Sequence, residues 1–196
     1  MKDRISIIDR KTDIMICRFS FYVLLIVNGL FASNLLAQQY RLIDLGSFGG
    51  FTEANDINNR SEIVGTSNQP SPLNIYGFNR AFIYDRTGLH NLGYSPTGNS
   101  YANAINDSGH LAVTAEVNGI RHGFLDRTDL AILAGVTYSN VHDINIFNHV
   151  VGTDGGSGAF VYYGGGNVKY LPWPGPAGVS GGTAYGINDR GEIVGD

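Results

Sequence analysis

GINDRGEIVGD (Gly186–Asp196) has three earlier counterparts in the same chain: DINNRSEIVGT from Asp56, AINDSGHLAVT from Ala104 and DINIFNHVVGT from Asp143. An Ile-Asn pair therefore stands at 57/58, 105/106, 144/145 and 187/188, with intervals of 48, 39 and 43 residues. Three variable residues follow each pair, then a polar or charged one, then an aliphatic pair: Ile63-Val64, Leu111-Ala112, Val150-Val151 and Ile193-Val194. Strand, tight turn, strand is the reading. In INDSGHL and INDRGEI the turn closes through a left-handed residue, which Gly109 and Gly191 adopt without steric cost. The side chains of Asn58, Asn106, Asn145 and Asn188 can each accept a backbone N–H from within the turn and so pin its register. The first and third copies carry Ser61 and Asn148 at the glycine position. Serine tolerates the left-handed region poorly, so the first hairpin is predicted to be looser.

Outward from each hairpin lie a variable loop and a short apolar strand built on phenylalanine: RAFIYD at Arg80, HGFLDR at His122, GAFVYY at Gly158. A further strand closes the unit: LHNLG at Leu89, LAILAG at Leu130, VKYLP at Val168. Four short strands in about 40 residues, punctuated by Gly, Asn, Asp and Pro, are the pattern of an all-β repeat. Repeats fall at about 52–93, 101–135 and 140–172, with a truncated repeat at 183–196. One such sheet is too small to stand alone and must bury its apolar face against the next copy. The expected blade core is Ile57, Phe82, Ile105, Phe124, Ile144, Phe160 and Ile187.

These residues carry a resemblance. DLGSFGGFTEANDINNRSEIVGTS (Asp44–Ser67), then RAFIYD, then NLG, resembles the HAF repeat, an extracellular family named for a His-Ala-Phe tripeptide between AINxxGxxVG and DLGxLGG elements. No copy has the full tripeptide: His122 and Phe124 flank a glycine, and Ala81-Phe82 and Ala159-Phe160 lack the histidine. The third copy, with INIFNHVVG and YLPWPGPAG, departs furthest. The resemblance implies a propeller-like array outside the cytoplasm and carries no chemistry with it.

The leader agrees with that address. Lys2, Arg4, Arg10, Lys11 and Arg18 precede an apolar run centred on Phe21–Val27, and Ala37 before QQY suits signal-peptidase cleavage. Residues 1–37 are thus expected to be a signal peptide, with translation starting at Met1 or at Met15, and 38–196 the repeat domain. Asn28, Gly29, Ser33 and Asn34 interrupt the run short of the roughly 20 apolar residues of a membrane span. The expected location is periplasmic or extracellular in a bacterium. Cys17 is the single cysteine and lies in the leader, so disulfide and thiolate chemistry are excluded from the exported part. Removing the leader takes the chain from 13 basic and 17 acidic residues to 8 and 14. A surface of that sign repels phosphate backbones, which excludes nucleic acid as a partner.

The exported part opens on YRLIDLGSFGG, read as the closing strand (40–46) of a unit, and ends on the first two strands of another. Three blades and a fraction fall short of the roughly four to eight that close a ring. The expectation is an incomplete propeller-like array, a truncated copy of a longer protein, with self-association through open blade edges as the other way of covering them.

Several sites can be weighed. GVSGG (Gly178–Gly182) fits the G-x-S-x-G pattern, yet it leads into a hairpin strand and lacks the helix that motif requires. Asp56, Asn58 and Glu62, or Asn106-Asp107 and Asn188-Asp189, offer oxygens without the alternating ligands of a calcium loop. The histidines at 90, 110, 122, 142 and 149 show no HxH or HExxH spacing. No catalytic, cofactor-binding or metal residue is therefore predicted. Glu62 and Glu192 align in the repeat, but His110 and His149 take that position in the other copies. Binding is left. The longest variable loop is TSNQPSPLNIYGFN (Thr66–Asn79), and Tyr76, Tyr162, Tyr163 and Trp173 are candidate contacts for a sugar face or a protein partner. The expected function is a non-catalytic binding or scaffold module; the alternative is a fragment of a secreted propeller enzyme acting on glycans.

Overall fold

The computed structural model describes residues 41–131, 137–155, 158–172 and 181–196, and Leu45–Asp196 belong to one compact unit. The leader, Trp173 and Ser180 of GVSGG lie outside the described residues. Three four-stranded antiparallel sheets follow one another along the chain, and a two-stranded sheet comes after them. The first holds β1 (Thr52–Ile57), β2 (Ile63–Ser71), β3 (Asn74–Asp85) and β4 (Gly88–Asn91). The second holds β5 (Ser100–Ile105), β6 (Leu111–Val117), β7 (Ile120–Leu125) and β8 (Thr128–Asp129). The third holds β9 (Ser139–Ile144), β10 (Val150–Asp154), β11 (Gly158–Tyr162) and β12 (Val168–Tyr170). The last is β13 (Ala184–Ile187) with β14 (Ile193–Gly195). Within each sheet the strands lie side by side in chain order, as in a propeller blade. The fold is an incomplete propeller-like repeat array.

The first two strands of every sheet meet across the predicted turn. Ser61, Gly109, Asn148 and Gly191 all take the left-handed conformation, at φ 61°, 87°, 63° and 79°. In each copy the Asn N–H donates to the carbonyl four residues on, and the left-handed residue donates back to the Asn carbonyl. The hairpin at Ser61 makes both bonds like the rest, so it is not looser; the neighbouring bonds hold serine in a region that it visits reluctantly. Opposite the hairpin's bulge the backbones approach closely. A Cβ on Gly152 would lie 2.0 Å from the Asn140 carbonyl oxygen, which accounts for the glycine of the Val-Gly pair. The second sheet carries Val113 at that place and keeps the same register, with Ala102 opposite Val113 and Ala104 opposite Ala112.

Apolar residues of neighbouring sheets form one cluster per interface. Val64 and Ala81 meet Ala102, Ile105, Leu111 and Val113 between the first and second sheets. Ala104, Ala112 and Leu130 meet Val141, Ile144, Val150, Phe160 and Tyr162 between the second and third. Val151, Ala159 and Val161 meet Ala184 and Ile187 between the third and fourth. Phe82 is fully buried, and Phe124 is half-buried with its ring edge-on to Tyr94 at 5.5 Å. Ile57 departs from the expected core. It is 48% exposed, because the face its counterparts bury lies on the side of the first sheet away from the second. Residues 41–46, expected to close a unit, form no strand; from Phe48 the chain bonds the end of β2 instead, through Ser67 and Asn68.

Candidate functional site

The turn asparagines do more than hold their own hairpins. In each, Oδ1 accepts the N–H groups two and four residues on: Arg60 and Glu62, Ser108 and His110, Phe147 and His149, Arg190 and Glu192. The Nδ2 amide then points to the next sheet. Asn58 donates to the Asn106 carbonyl at 3.1 Å, Asn106 to that of Asn145 at 3.0 Å, and Asn145 to that of Asn188 at 3.2 Å. A row of amides thus runs from turn to turn, and Asn58, Asn106 and Asn145 are buried within it.

Three residues upstream, every first strand carries a bulge at the same place. Asn55, Asn103, His142 and Tyr185 are the skipped residues in the four hairpin registers. A bulge leaves its residue out of the ladder and re-aims the side chain. Asn55 uses this to donate to the Ala102 carbonyl at 2.9 Å, and Asn103 to donate to Thr114 Oγ1 at 3.1 Å and the Val141 carbonyl at 2.6 Å. Tyr185 departs from the pattern, and so does His142. Its ring faces that of Tyr185 at 5.5 Å, and Thr153 Oγ1, the counterpart of Thr114 Oγ1, is buried with no partner among the described residues. Burial holds the His142 imidazole below its ordinary value of 6.5, favouring the neutral form.

Several groups with acid–base potential are bonded to near neighbours in turns and strands. Glu62 and Glu192 accept Nδ2 of Asn58 and Asn188, and His149 Nδ1 sits 3.5 Å from Asn145 Nδ2. His110 pairs with Asp126 at 2.7 Å, His122 with Asp129 at 2.6 Å, and His90 with Thr87 and Asp85. Asp56 spans two sheets: one oxygen accepts the Ile57 N–H and the other that of Ile105, while burial still pushes its carboxyl above the usual range. Burial also pushes the Tyr94 hydroxyl up to about 12, against the Arg127 guanidinium lying 4.2 Å from its ring centre. Among the described residues no three His, Cys, Asp or Glu side chains gather as metal ligands, and no helix is long and apolar enough to cross a membrane.

A cleft of about 270 Å³ opens between the second and third sheets. Tyr101, Asn103, Thr114 and Arg121 line one wall, and Asn140, Val141 and His142 the other. The Arg121 guanidinium lies over the Tyr101 ring, 5.7 Å from its centre, and makes no ion pair or hydrogen bond among the described residues. Glu116, opposite it in the ladder, is engaged with the backbone and side-chain amides of Asn99. Asn140 donates to the Tyr138 hydroxyl. A second hollow of about 360 Å³, between the third and fourth sheets, is lined mainly by Ala159, Leu171, Ile193 and glycine backbone, with less to recognise a polar ligand.

The predicted contact residues are scattered. Tyr76 is 83% exposed at the tip of the long β2–β3 hairpin, beside Leu73 and Ile75. Tyr163 is exposed, with its ring edge-on to His149 at 4.8 Å. Tyr162 is a correction: it ends β11, is only 5% exposed, and packs with Ile144 and Phe160 instead of standing in a loop. None of the three lines the cleft, and no residue that does was singled out from the sequence as a contact. The one available signal was His142 standing where Asn55 and Asn103 do. No family model, curated protein or solved structure matches the chain.

Proposed function

We propose that this chain is an exported, non-catalytic β-repeat module that binds a glycan or protein ligand. The observation that carries this reading is the fate of the acid–base residues. Glu62, His149 and Glu192 share one repeat position and are spent on the turn asparagines, so they do not converge on a reacting centre. The cleft between the second and third sheets instead gathers side-chain donors and acceptors around a phenol ring, the chemistry of recognition. The basic and apolar leader supports export. The resemblance to the HAF repeat supports an extracytoplasmic setting.

Incubating the secreted protein with a panel of polysaccharides, and following both retention and chain length, tests the reading. Retention with unchanged chain length is expected. Shortened chains would establish the enzyme alternative and overturn the proposal.

A further inference from the structure

The break in the bulge pattern at His142 marks a site. At the same position Asn103 satisfies Thr114 and bonds the next sheet, whereas His142 forgoes both bonds and leaves the Thr153 hydroxyl without a partner among the described residues. A buried hydroxyl left unpaired is destabilising. Departures from a protein's own structural rule concentrate at functional positions. What the departure achieves is visible: the imidazole forms part of the cleft wall across from Arg121.

We infer that the cleft of Tyr101, Arg121, Asn140 and His142 binds a sugar unit that bears a carboxylate. This rests on the binding-module reading above and names the ligand class of that same site. The guanidinium is steadied from below by the Tyr101 ring, and Glu116, the acidic side chain opposite it in the ladder, is already committed to Asn99. Its planar fork matches a carboxylate geometrically, and a loosely hydrated cation without a counterion is ready to take one. Neutral imidazole both donates and accepts, and Asn103 and Asn140, whose Nδ2 groups are bonded to Thr114, Val141 and Tyr138, bring their side-chain carbonyls as acceptors for ring hydroxyls. A guanidinium and an imidazole in so small a lining argue against an acyl chain. The volume is at the small end of ligand pockets, enough for a single ring of a longer chain.

The test is isothermal titration of the whole protein with a galacturonate trimer and, as the uncharged counterpart, maltotriose. Arg121→Ala and His142→Asn are run beside the wild type, with unfolding curves for each. The galacturonate trimer should bind at least tenfold more tightly than maltotriose. Arg121→Ala, at an exposed position, should keep the fold and lose about tenfold or more of that affinity. His142→Asn should unfold at higher denaturant and yet bind the trimer several-fold more weakly; a purely structural histidine would change stability and not binding. If both sugars bind alike, or Arg121→Ala binds the trimer as the wild type does, the carboxylate inference is overturned while the binding-module reading stands. Absence of trimer binding overturns the inference as well. Cleavage of the trimer overturns the inference and the reading together.

Discussion

At the scale of the residue, one asparagine per repeat carries two duties. Asn106 accepts from Ser108 and His110 in its own turn and donates to Asn145 in the next. Removing a buried group that satisfies others leaves each of them unpaired, at about 1–3 kcal/mol apiece. Asn106→Ala is therefore expected to cost about 2–4 kcal/mol in urea unfolding. A loss below about 0.5 kcal/mol would show that water replaces the amide. His142 gives a test by pH. Its folded value lies below 6.5, so the stability it contributes is present above about pH 6.5 and is lost as pH falls through the folded value. The wild type should lose stability faster than His142→Asn on acidification from pH 7, and parallel curves would refute this. The turn chemistry was legible in the sequence because an Asx bond is local, decided within four residues of Asn58 or Asn106. The donation to the next turn was not, since it depends on where a turn some 40 residues away comes to rest. The cleft was less legible still. Tyr101, Arg121 and His142 fall at three different repeat positions, and only packing brings them to one hollow.

At the scale of the element, strand length separates the copies. The β2–β3 hairpin runs well past its counterparts, with no charged residue from Thr66 to Asn79, and lifts Leu73, Ile75 and Tyr76 into solvent. Nothing beneath those three depends on them. Leu73→Ser, Ile75→Thr and Tyr76→Ser together should change the unfolding free energy by no more than about 1 kcal/mol. A larger loss would mean that the tip folds back on the body. From the sequence Thr66–Asn79 reads as a loop, whereas all of it except the turn at Pro72 and Leu73 is paired strand. Tyr162, expected to be a contact residue, opens YYGGGN (Tyr162–Asn167), yet it is the last inward-facing residue of a strand and only the glycines form the turn. Glycine content marks where a loop is, not where the strand before it stops.

At the scale of the whole molecule, sheets are held by their neighbours. The bonding between them alternates. Asp56 and Asp107 join the first sheet to the second, as Asp143 and Asp189 join the third to the fourth. Between the second and third, Ala104 and Ile146 stand at those places, and Asn106 adds a bond to Asn148. Matching repeat positions consequently differ in weight. Ile144→Ala, inside the cluster between the second and third sheets, should cost about 2–4 kcal/mol, whereas Ile57→Ala, half in water, should cost less than about 1 kcal/mol. Equal costs would argue against nearest-neighbour stabilisation. Ile57 reads as core from the sequence for the same reason: a repeat tells which residues are alike and not which have the same surroundings.

The row of turn amides has a further consequence. Every Nδ2 points toward higher residue numbers and every receiving carbonyl lies ahead of it. The row is therefore a vector, with a head and a tail that are chemically distinct. A body continuing the row past Asn188 would have to offer an acceptor, and one meeting it ahead of Asn58 would have to offer a donor. Two such rows can be joined head to tail but not head to head, so the direction of any extension is written into the asparagines before a partner arrives.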